Sequence, residues 1–276
     1  MIEILKAVVF GIVQGITEWL PISSTGHMIL LNEFVKLNVT PQFWALFLVV
    51  IQFGSILAVL ILFWDKIWPF SSKEKNYIKK DTFQLWFRII VACIPGAIVG
   101  ILFDEQMDAL FYNYWTVAIT LILFGIAFIV IENRNKGKKP VMKSLSEITY
   151  TTAIIIGIFQ LIAAVFPGTS RSGATIIGAL LIGVSRTVAA EFTFLLAIPV
   201  MFGASLLKIV KFVIAGYTCT SAEITILIVG MIVAFFVSVI VIQFLMGYIK
   251  KHDFKVFGWY RIVLGLLVLF YFMIAG

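Results

Sequence analysis

Residues 11–27 read GIVQGITEWLPISSTGH, and residues 157–175 read GIFQLIAAVFPGTSRSGAT. In each stretch an apolar, helix-like run ends at a proline, a hydroxyl-rich loop follows, and a second apolar run begins. One inserted residue in the second loop aligns Gly26 with Gly173. Before that insertion, an offset of 146 positions pairs six residues: Gly11 with Gly157, Ile12 with Ile158, Gln14 with Gln160, Ile16 with Ile162, Pro21 with Pro167 and Ser24 with Ser170. In a membrane protein, such a broken segment is tolerated only where it lines a cavity or is buried in protein. The two stretches therefore predict a pair of re-entrant helical hairpins.

The composition is that of a membrane protein. Hydrophobic residues make up 62% of the 276 residues, and charged residues only 13%. A soluble globular domain is about 45–50% apolar and about 25% charged, so the composition indicates a polytopic membrane protein. The net charge of +7 comes mostly from short loops, as expected for loops on the cytoplasmic side. Membrane topology thus explains the basic charge, and no nucleic-acid partner is predicted.

Six further apolar runs are long enough to cross a bilayer, because about 20 helical residues span its hydrocarbon core. They cover residues 41–64, 83–103, 112–131, 188–212, 224–248 and 258–275. Between them, basic loops at 65–81, 132–147 and 249–257 alternate with acidic or neutral loops, such as the acidic loop predicted at 104–108. The positive-inside rule then places the basic loops in the cytoplasm. Hairpin one enters the membrane from outside and hairpin two from inside.

The predicted fold class is therefore all-α, with two inverted-topology repeats that each consist of a re-entrant hairpin and three transmembrane helices. The chain forms one membrane domain: repeat one covers residues 1–131, a cytoplasmic linker covers 132–147, and repeat two covers 148–276. Inverted repeats place a binding site near the bilayer midplane, where the two broken segments meet. Near the start of the fourth span, Arg186 and Glu191 are predicted to form a structural or interfacial ion pair.

Glu18 is the most informative residue of the first hairpin. A carboxylate within a membrane segment costs roughly 2.5–3.5 kcal/mol to insert, so it indicates function by default. Gln14 lies four residues earlier on the same helix face, and the two side chains can address one ligand or ion. The second hairpin keeps Gln160 but carries Ala164 in place of the acid, and it adds Arg171.

This division suggests one composite site that both hairpins form. Arg171 presents a planar fork suited to phosphate oxygens, and a helix that begins near Gly173 would direct its N-terminal amides to the same place. Hairpin one would contribute Glu18, Ser24 and His27. An acid, a histidine, hydroxyls and an arginine around one cavity suit phosphoryl transfer, which depends on positioning and charge stabilisation. Structural roles remain open for the Ser and Thr residues, which often bond backbone carbonyls in membrane helices.

Three motifs carry a family resemblance. Gln-x-x-x-Glu from Gln14, Pro-x-Ser-Ser-Thr-Gly-His from Pro21 and Pro-Gly-x-Ser-Arg-Ser-x-x-Thr from Pro167 resemble the undecaprenyl-pyrophosphate phosphatase family of bacteria, of the bacitracin-resistance type. Residues 185–199 also resemble that family, so the likeness extends along the chain. The resemblance implies hydrolysis of undecaprenyl pyrophosphate to undecaprenyl phosphate and inorganic phosphate. That reaction recycles the lipid carrier of cell-wall peptidoglycan synthesis and confers bacitracin resistance.

The resemblance also implies roles for individual residues. The expected catalytic residues are Glu18, Ser24, His27 and Arg171. The expected substrate-binding residues are Ser23, Thr25, Gly26, Ser170, Ser172, Gly173 and Thr175. A divalent cation, Mg²⁺ or Ca²⁺, is implied, with Glu18 and Gln14 as its candidate ligands. The family's acid motif begins with Glu or Gln, and this chain has Gln14. Either Ser24 or a water molecule could attack the phosphorus.

The substrate is expected to be a prenyl pyrophosphate lipid whose tail stays in a groove between the spans, in contact with membrane lipid. The site is expected to face the extracytoplasmic side of the bacterial plasma membrane, because Glu18 and His27 belong to the hairpin that enters from outside. The sequence leaves both a monomer and a homodimer open. The alternative function is a transporter or flippase of the lipid phosphate carrier, since paired broken helices also occur in transporters.

Overall fold

The computed structural model describes residues 1–70, 78–111 and 113–275, and the regular structure of these residues is helical apart from two isolated β-bridges. The helices are α1 (Ile2–Thr17), α2 (Ser24–Phe34), α3 (Pro41–Leu62), α4 (Trp64–Ile67), α5 (Lys80–Leu102), α6 (Asp104–Phe111), α7 (Tyr114–Asn135), α8 (Tyr150–Val165), α9 (Arg171–Leu181), α10 (Arg186–Ile214), α11 (Ser221–Tyr248) and α12 (Lys255–Ala275). A short 3₁₀ turn, Leu145–Glu147, precedes α8.

Six of these helices (α3, α5, α7, α10, α11 and α12) are long and apolar enough to cross a membrane. They coincide with the six predicted spans, so the all-α, multi-pass architecture is confirmed. The predicted start of the third span, residue 112, and part of the predicted loop 65–81 lie outside the described residues. The acidic loop predicted at 104–108 was wrong, because these residues belong to α6. The sequence DEQMDALF contains neither Pro nor Gly, so nothing in it interrupts a helix.

Both broken segments are confirmed as helix–loop–helix units. Hairpin one consists of α1 and α2, and hairpin two consists of α8 and α9; the first arms have 16 residues and the second arms have 11. A helix of this length rises 1.5 Å per residue, so even the longer arm reaches only ~24 Å, less than the ~30 Å of a hydrocarbon core. The loops between the arms therefore lie within the bundle.

The first arm of each hairpin packs against a helix of the other half of the chain: α1 against α11, and α8 against α5. Glycines allow this close approach. A Cβ atom at Gly11 would lie 2.7 Å from the carbonyl oxygen of Gly230, and one at Gly157 would collide with the backbone of Ala92. Small residues serve the same purpose wherever membrane helices pack without space for side chains. Outside the hairpins, α3 packs against α10 and α7 against α12.

The loops that were predicted to be cytoplasmic meet at one end of the bundle. There, Glu132 at the end of α7 accepts hydrogen bonds from Arg186 Nε (2.9 Å) and from the backbone amide of Phe254 (3.0 Å). At the opposite end, Glu3 at the start of α1 accepts from the amide of Asn38 (2.8 Å).

Gly11 lies against Gly230 and Gly15 against Ala234, so α1 runs parallel to α11 and starts at the end opposite the 249–257 loop. Gly157 lies against Ala92 and Gln160 against Gly96, so α8 runs parallel to α5 and hairpin two enters from the other end. The inverted-topology repeat itself, with its boundaries at residues 131 and 148, stays a prediction.

The predicted ion pair between Arg186 and Glu191 was wrong. Arg186 pairs with Glu132 of α7, whereas Glu191 pairs with Lys66, at 2.7 Å between Nζ and Oε2. The physical reason is helix geometry, since only residues three or four apart face each other and these two are five apart. Each side chain therefore finds its partner on a different neighbouring helix.

Candidate active site

The second arm of each hairpin begins at a serine cap with an unusual backbone. Ser23 has a φ of 74° and its hydroxyl accepts from the amide of Gly26 (3.3 Å); Ser170 has a φ of 69° and accepts from the amide of Gly173 (3.2 Å). These two are the non-glycine residues with positive φ in the described part of the chain. Such conformations cost of order 1–3 kcal/mol and cluster at functional sites.

The caps correct the predicted alignment of the hairpins. Ser170 is structurally equivalent to Ser23 rather than to Ser24, because the inserted residue precedes the cap instead of following it. Ser24 is therefore equivalent to Arg171, and each is the first residue of its helix. The sequence left this ambiguous because two adjacent serines can both act as a cap.

The tips of the two hairpins meet at the carboxylate of Glu18, which is only 6% exposed. Its Oε2 atom accepts hydrogen bonds from Gln14 Nε2 (2.9 Å) and from the Ser24 hydroxyl (3.0 Å). Its Oε1 atom accepts from Arg171 Nη2 at 2.8 Å, which makes a salt bridge between the hairpins. Ser172 donates its hydroxyl to the backbone carbonyl of Glu18 at 3.3 Å. One acid thus joins the first helical residues of both second arms.

A cavity of about 200 Å³ lies beside this carboxylate. Its polar lining comes from both hairpins and from α3, and consists of Glu18, Ser23, Ser24, Thr25, Gln52, Gln160, Ser170, Arg171 and Ser172. A larger and mainly apolar groove of about 800 Å³ adjoins it and shares Ser24, Thr25, Gln52 and Gln160. The groove continues between the spanning helices as far as Lys208 and Lys211 of α10. A polar end and an apolar extension together suit a ligand with a polar head and a long hydrocarbon chain.

Two buried polar atoms on the cavity lining find no hydrogen-bond partner among the described residues. One is the donor Arg171 Nη1, and the other is the acceptor Gln160 Oε1. An unsatisfied buried polar group costs about 1–3 kcal/mol, which a ligand can recover by pairing with it. The free donor suits a phosphate oxygen, and the free carbonyl oxygen suits a cation or a proton donor.

The predicted divalent cation has a limited set of ligands here. No group of three or more His, Cys, Asp or Glu side chains that could hold a metal ion occurs in residues 1–70, 78–111 and 113–275. Glu18 supplies one carboxylate, and Gln160 lines the same cavity with an amide oxygen that has no partner among the described residues, whereas Gln14 bonds Glu18 through its amide nitrogen. Mg²⁺ is usually bound by one or two carboxylates together with substrate phosphates and water. The residues therefore fit a cation that is shared with a phosphate ligand.

Four of the predicted site residues do not belong to the lining of either cavity: Gly26, His27, Gly173 and Thr175. His27 Nδ1 donates to the carbonyl oxygen of Ser23 (2.7 Å), so its Nε2 accepts from the Tyr260 hydroxyl (2.7 Å) when the ring is neutral. Thr175 donates to the carbonyl of Arg171 (2.8 Å) and accepts from Thr193 (2.9 Å). The acid–base role of His27 stays a prediction.

Sequence reasoning missed several residues around the site. Gln52 of α3 lines both cavities; Tyr260 of α12 bonds His27 of α2, and Arg261 of α12 bonds the hairpin loops. Arg261 could have been found, because a charged residue within a membrane span carries the same signal as Glu18. Gln52 and Tyr260 gave no such signal, since polar and aromatic residues are common along membrane helices.

The fold and the site together define a class: a multi-pass membrane protein in which two broken helices form a buried polar site beside an apolar groove. A family model described as bacitracin resistance protein BacA matches residues 7–267, and the chain belongs to this family.

Curated relatives agree over nearly their whole length. Undecaprenyl-diphosphatase 1 of Clostridium acetobutylicum is 69% identical over 274 residues, which cover 99% of both chains. The undecaprenyl-diphosphatase of Desulfitobacterium hafniense is 65% identical over 272 residues, which cover 99% of this chain and 97% of the relative. That of Enterococcus faecalis is 62% identical over 270 residues, which cover 97% and 96%.

Proposed function

We propose that this protein hydrolyses undecaprenyl pyrophosphate to undecaprenyl phosphate and inorganic phosphate. The observation that carries the proposal is the Glu18 carboxylate, held between the Ser24 hydroxyl and the Arg171 guanidinium within a buried polar cavity. The identity of the substrate is inferred from the relatives, which are named undecaprenyl-diphosphatase. In the cell this reaction recycles the lipid carrier of peptidoglycan synthesis and gives resistance to bacitracin.

The pyrophosphate binds at Arg171. Arg171 Nη2 donates to Glu18, and Arg171 Nη1, which has no partner among the described residues, donates to an oxygen of the terminal phosphate. The N-termini of α2 and α9 lie at the same place, and their first-turn amides and helix dipoles favour an anion. A bound cation, Mg²⁺ or Ca²⁺, held by Glu18 with the amide oxygens of Gln14 and Gln160, would neutralise part of the phosphate charge.

Ser24 supplies the nucleophile. Its hydroxyl donates to Glu18 Oε2 at 3.0 Å, so the proton passes to that carboxylate as Ser24 Oγ bonds to the terminal phosphorus. The bond from this phosphorus to the bridging oxygen breaks, and undecaprenyl phosphate leaves as an anion that needs no added proton. Water then attacks the phosphorus of the phosphoserine, and its protons stay on the inorganic phosphate that is released. As the bond from phosphorus to Ser24 Oγ breaks, Glu18 returns its proton to that oxygen. Arg171 balances the negative charge in both steps.

The lipid tail occupies the apolar groove of about 800 Å³ that adjoins the site. The basic loops 132–147 and 249–257 are cytoplasmic by the positive-inside rule, and the start of α1 lies at the other end of the bundle. Hairpin one therefore enters from the extracytoplasmic side, and the substrate reaches the site from the outer leaflet.

The test is phosphate release from undecaprenyl pyrophosphate by the purified protein in detergent, with Mg²⁺, with Ca²⁺ and with a chelator. We expect metal-dependent release, and we expect Glu18→Gln to lower kcat by ~10³-fold, because it removes the base and the partner of Arg171. Glu132→Gln is the matched control: it also changes a buried, arginine-paired acid, but one at the far end of α7. It should stay within about threefold of wild type.

Absence of release from well-folded wild type under every metal condition would contradict the proposal. In that case the same preparation, in liposomes, would be assayed for movement of the lipid phosphate across the bilayer, the activity of the alternative transporter. Release that survives Glu18→Gln would retain the reaction but refute the assignment of the site.

A further inference from the structure

Arg261 of α12 is fully buried and contacts both hairpin loops at once. Its Nη1 donates to the carbonyl oxygen of Pro21 at 3.2 Å. Its Nη2 donates to the carbonyl oxygens of Gly168 (3.0 Å) and Thr169 (2.8 Å). One guanidinium therefore bonds the loop of hairpin one and the loop of hairpin two, which are about 147 residues apart in the chain.

The bonded carbonyls occupy equivalent places in the two hairpins. Pro21 precedes Ser24 by three residues, and Gly168 precedes Arg171 by three residues. Ser24 and Arg171 are the first residues of α2 and α9, and both bond the Glu18 carboxylate. Arg261 thus bonds each loop three residues before the side chain that the loop brings to Glu18. These side chains are Ser24 in hairpin one and Arg171 in hairpin two.

Arg261 does not line either cavity, so it lies behind the loops rather than against a ligand. Among the described residues its hydrogen-bond partners are backbone carbonyl oxygens, and its Nε finds none. A buried guanidinium without a carboxylate partner is costly to keep. Simple packing at this position could be achieved by an apolar residue without that cost.

We propose that Arg261 is a positioning residue, which holds the two hairpin loops together so that Ser24 and Arg171 meet on Glu18. The planar fork suits this role because its two nitrogens donate in parallel to two separate loops. A lysine offers one point of charge and cannot reproduce that geometry. The catalytic consequence rests on the proposed phosphatase function, whereas the positioning of the loops does not.

The kinetic test compares Arg261→Gln and Arg261→Lys with wild type in the phosphate-release assay. We expect Arg261→Gln to lower kcat ~10²-fold with KM within about threefold, because a displacement of about 1 Å at reacting groups costs that much while the groove still binds the tail. Arg261→Lys should retain more activity, with kcat reduced ~10-fold, because it keeps the charge but loses the fork. Glu132→Gln is again the control for a buried charge elsewhere.

Wild-type kcat in either Arg261 variant would overturn the proposal, and so would equal losses in Arg261→Gln and Glu132→Gln. Because Arg261→Gln can fail to fold, Arg261→Lys alone is sufficient for this comparison.

A second readout is independent of activity. Spin labels on cysteines at Phe34 and Leu181, the last residues of α2 and α9, report the distance between the hairpins once Cys93 and Cys219 are replaced by Ser. We expect one narrow distance distribution in the wild-type background and in Glu132→Gln, and a broader or shifted one in Arg261→Lys. An unchanged distribution in Arg261→Lys would refute the positioning role. Inactive wild type with the expected distances would instead refute the proposed function alone.

Discussion

The two hairpins share a backbone and differ in chemistry. Each has arms of 16 and 11 residues, a serine cap with positive φ, and a glycine amide that donates to that cap. At the first position of the second arm, however, one hairpin has Ser24 and the other has Arg171. At the end of the first arm, one has Glu18 where the other has Ala164. Two similar backbones thus bring different side chains to the Glu18 carboxylate. The hairpins therefore form one composite site instead of two similar sites.

The hairpins also differ in how tightly the first turns of their second arms, α2 and α9, are packed. A Cβ atom at Gly26 would meet its nearest neighbour at 3.4 Å, which is ordinary contact. A Cβ atom at Gly173 would lie 3.1 Å from Arg261 Nη1 and 3.3 Å from Ser170 Cβ. The second hairpin therefore has less room, and the side chain that fills the space is the arginine that bonds both loops.

Replacement of Ser24 should have the largest effect. Ser24→Ala removes the proposed nucleophile, and we expect a loss of ~10³-fold or more in kcat, since the removal of a catalytic nucleophile typically costs at least this much. Ser172→Ala is the comparison from the other hairpin, and ~10-fold is expected, because among the described residues the Ser172 hydroxyl bonds the backbone carbonyl of Glu18 and the Ser170 hydroxyl. A loss of only ~10-fold in Ser24→Ala would indicate that water attacks the phosphorus directly.

Replacement of Arg171 by lysine should come next. Arg171→Lys keeps the charge but loses the fork that pairs with Glu18 and donates to phosphate, so we expect kcat to fall ~10²-fold. Arg186→Lys is the matched control, because Arg186 also pairs with a buried acid, Glu132, but at the end of the bundle remote from the hairpin tips. Equal losses in the two variants, measured by phosphate release, would show that disruption of a buried ion pair rather than phosphate binding lowers the activity.

A methyl group at Gly173 should have a moderate effect. Gly173→Ala forces Arg261 or the Ser170 cap to move, and we expect a ~10-fold lower kcat through the displaced loop. Gly26→Ala meets only ordinary contacts and should leave kcat within about twofold of wild type, since the extra methyl displaces nothing. The comparison uses equal amounts of folded protein, quantified by size-exclusion chromatography. Equal effects at the two glycines would contradict the difference in packing between the hairpins.

The sequence predicted the fold better than it predicted the details of the site. Hydropathy and proline positions were sufficient for the six spans and the two breaks, because membrane insertion depends on local composition. The cost of a buried charge identified Glu18 and Arg171. The partners of Arg261 and His27 could not be predicted, because their contacts join residues 240 and 233 positions apart. Which of two adjacent serines caps α2 depends on backbone angles, which leave no trace in the order of the residues.

The smallest effect concerns the strained cap, where stability rather than activity is the measurement. Ser23→Ala loses the hydroxyl that caps α2 and keeps a side chain at a φ of 74°, so it should lower the free energy of unfolding by about 1 kcal/mol. Ser23→Gly loses the same bond but removes the strain of order 1–3 kcal/mol, and glycine is a tolerated cap. The glycine variant should therefore be more stable than the alanine variant by about 1–2 kcal/mol, as measured by denaturant unfolding in detergent.

Ser170→Gly and Ser170→Ala should differ in the same direction, because the equivalent cap has a φ of 69°. Equal unfolding free energies of the alanine and glycine variants, at both Ser23 and Ser170, would contradict the presence of backbone strain at the two caps.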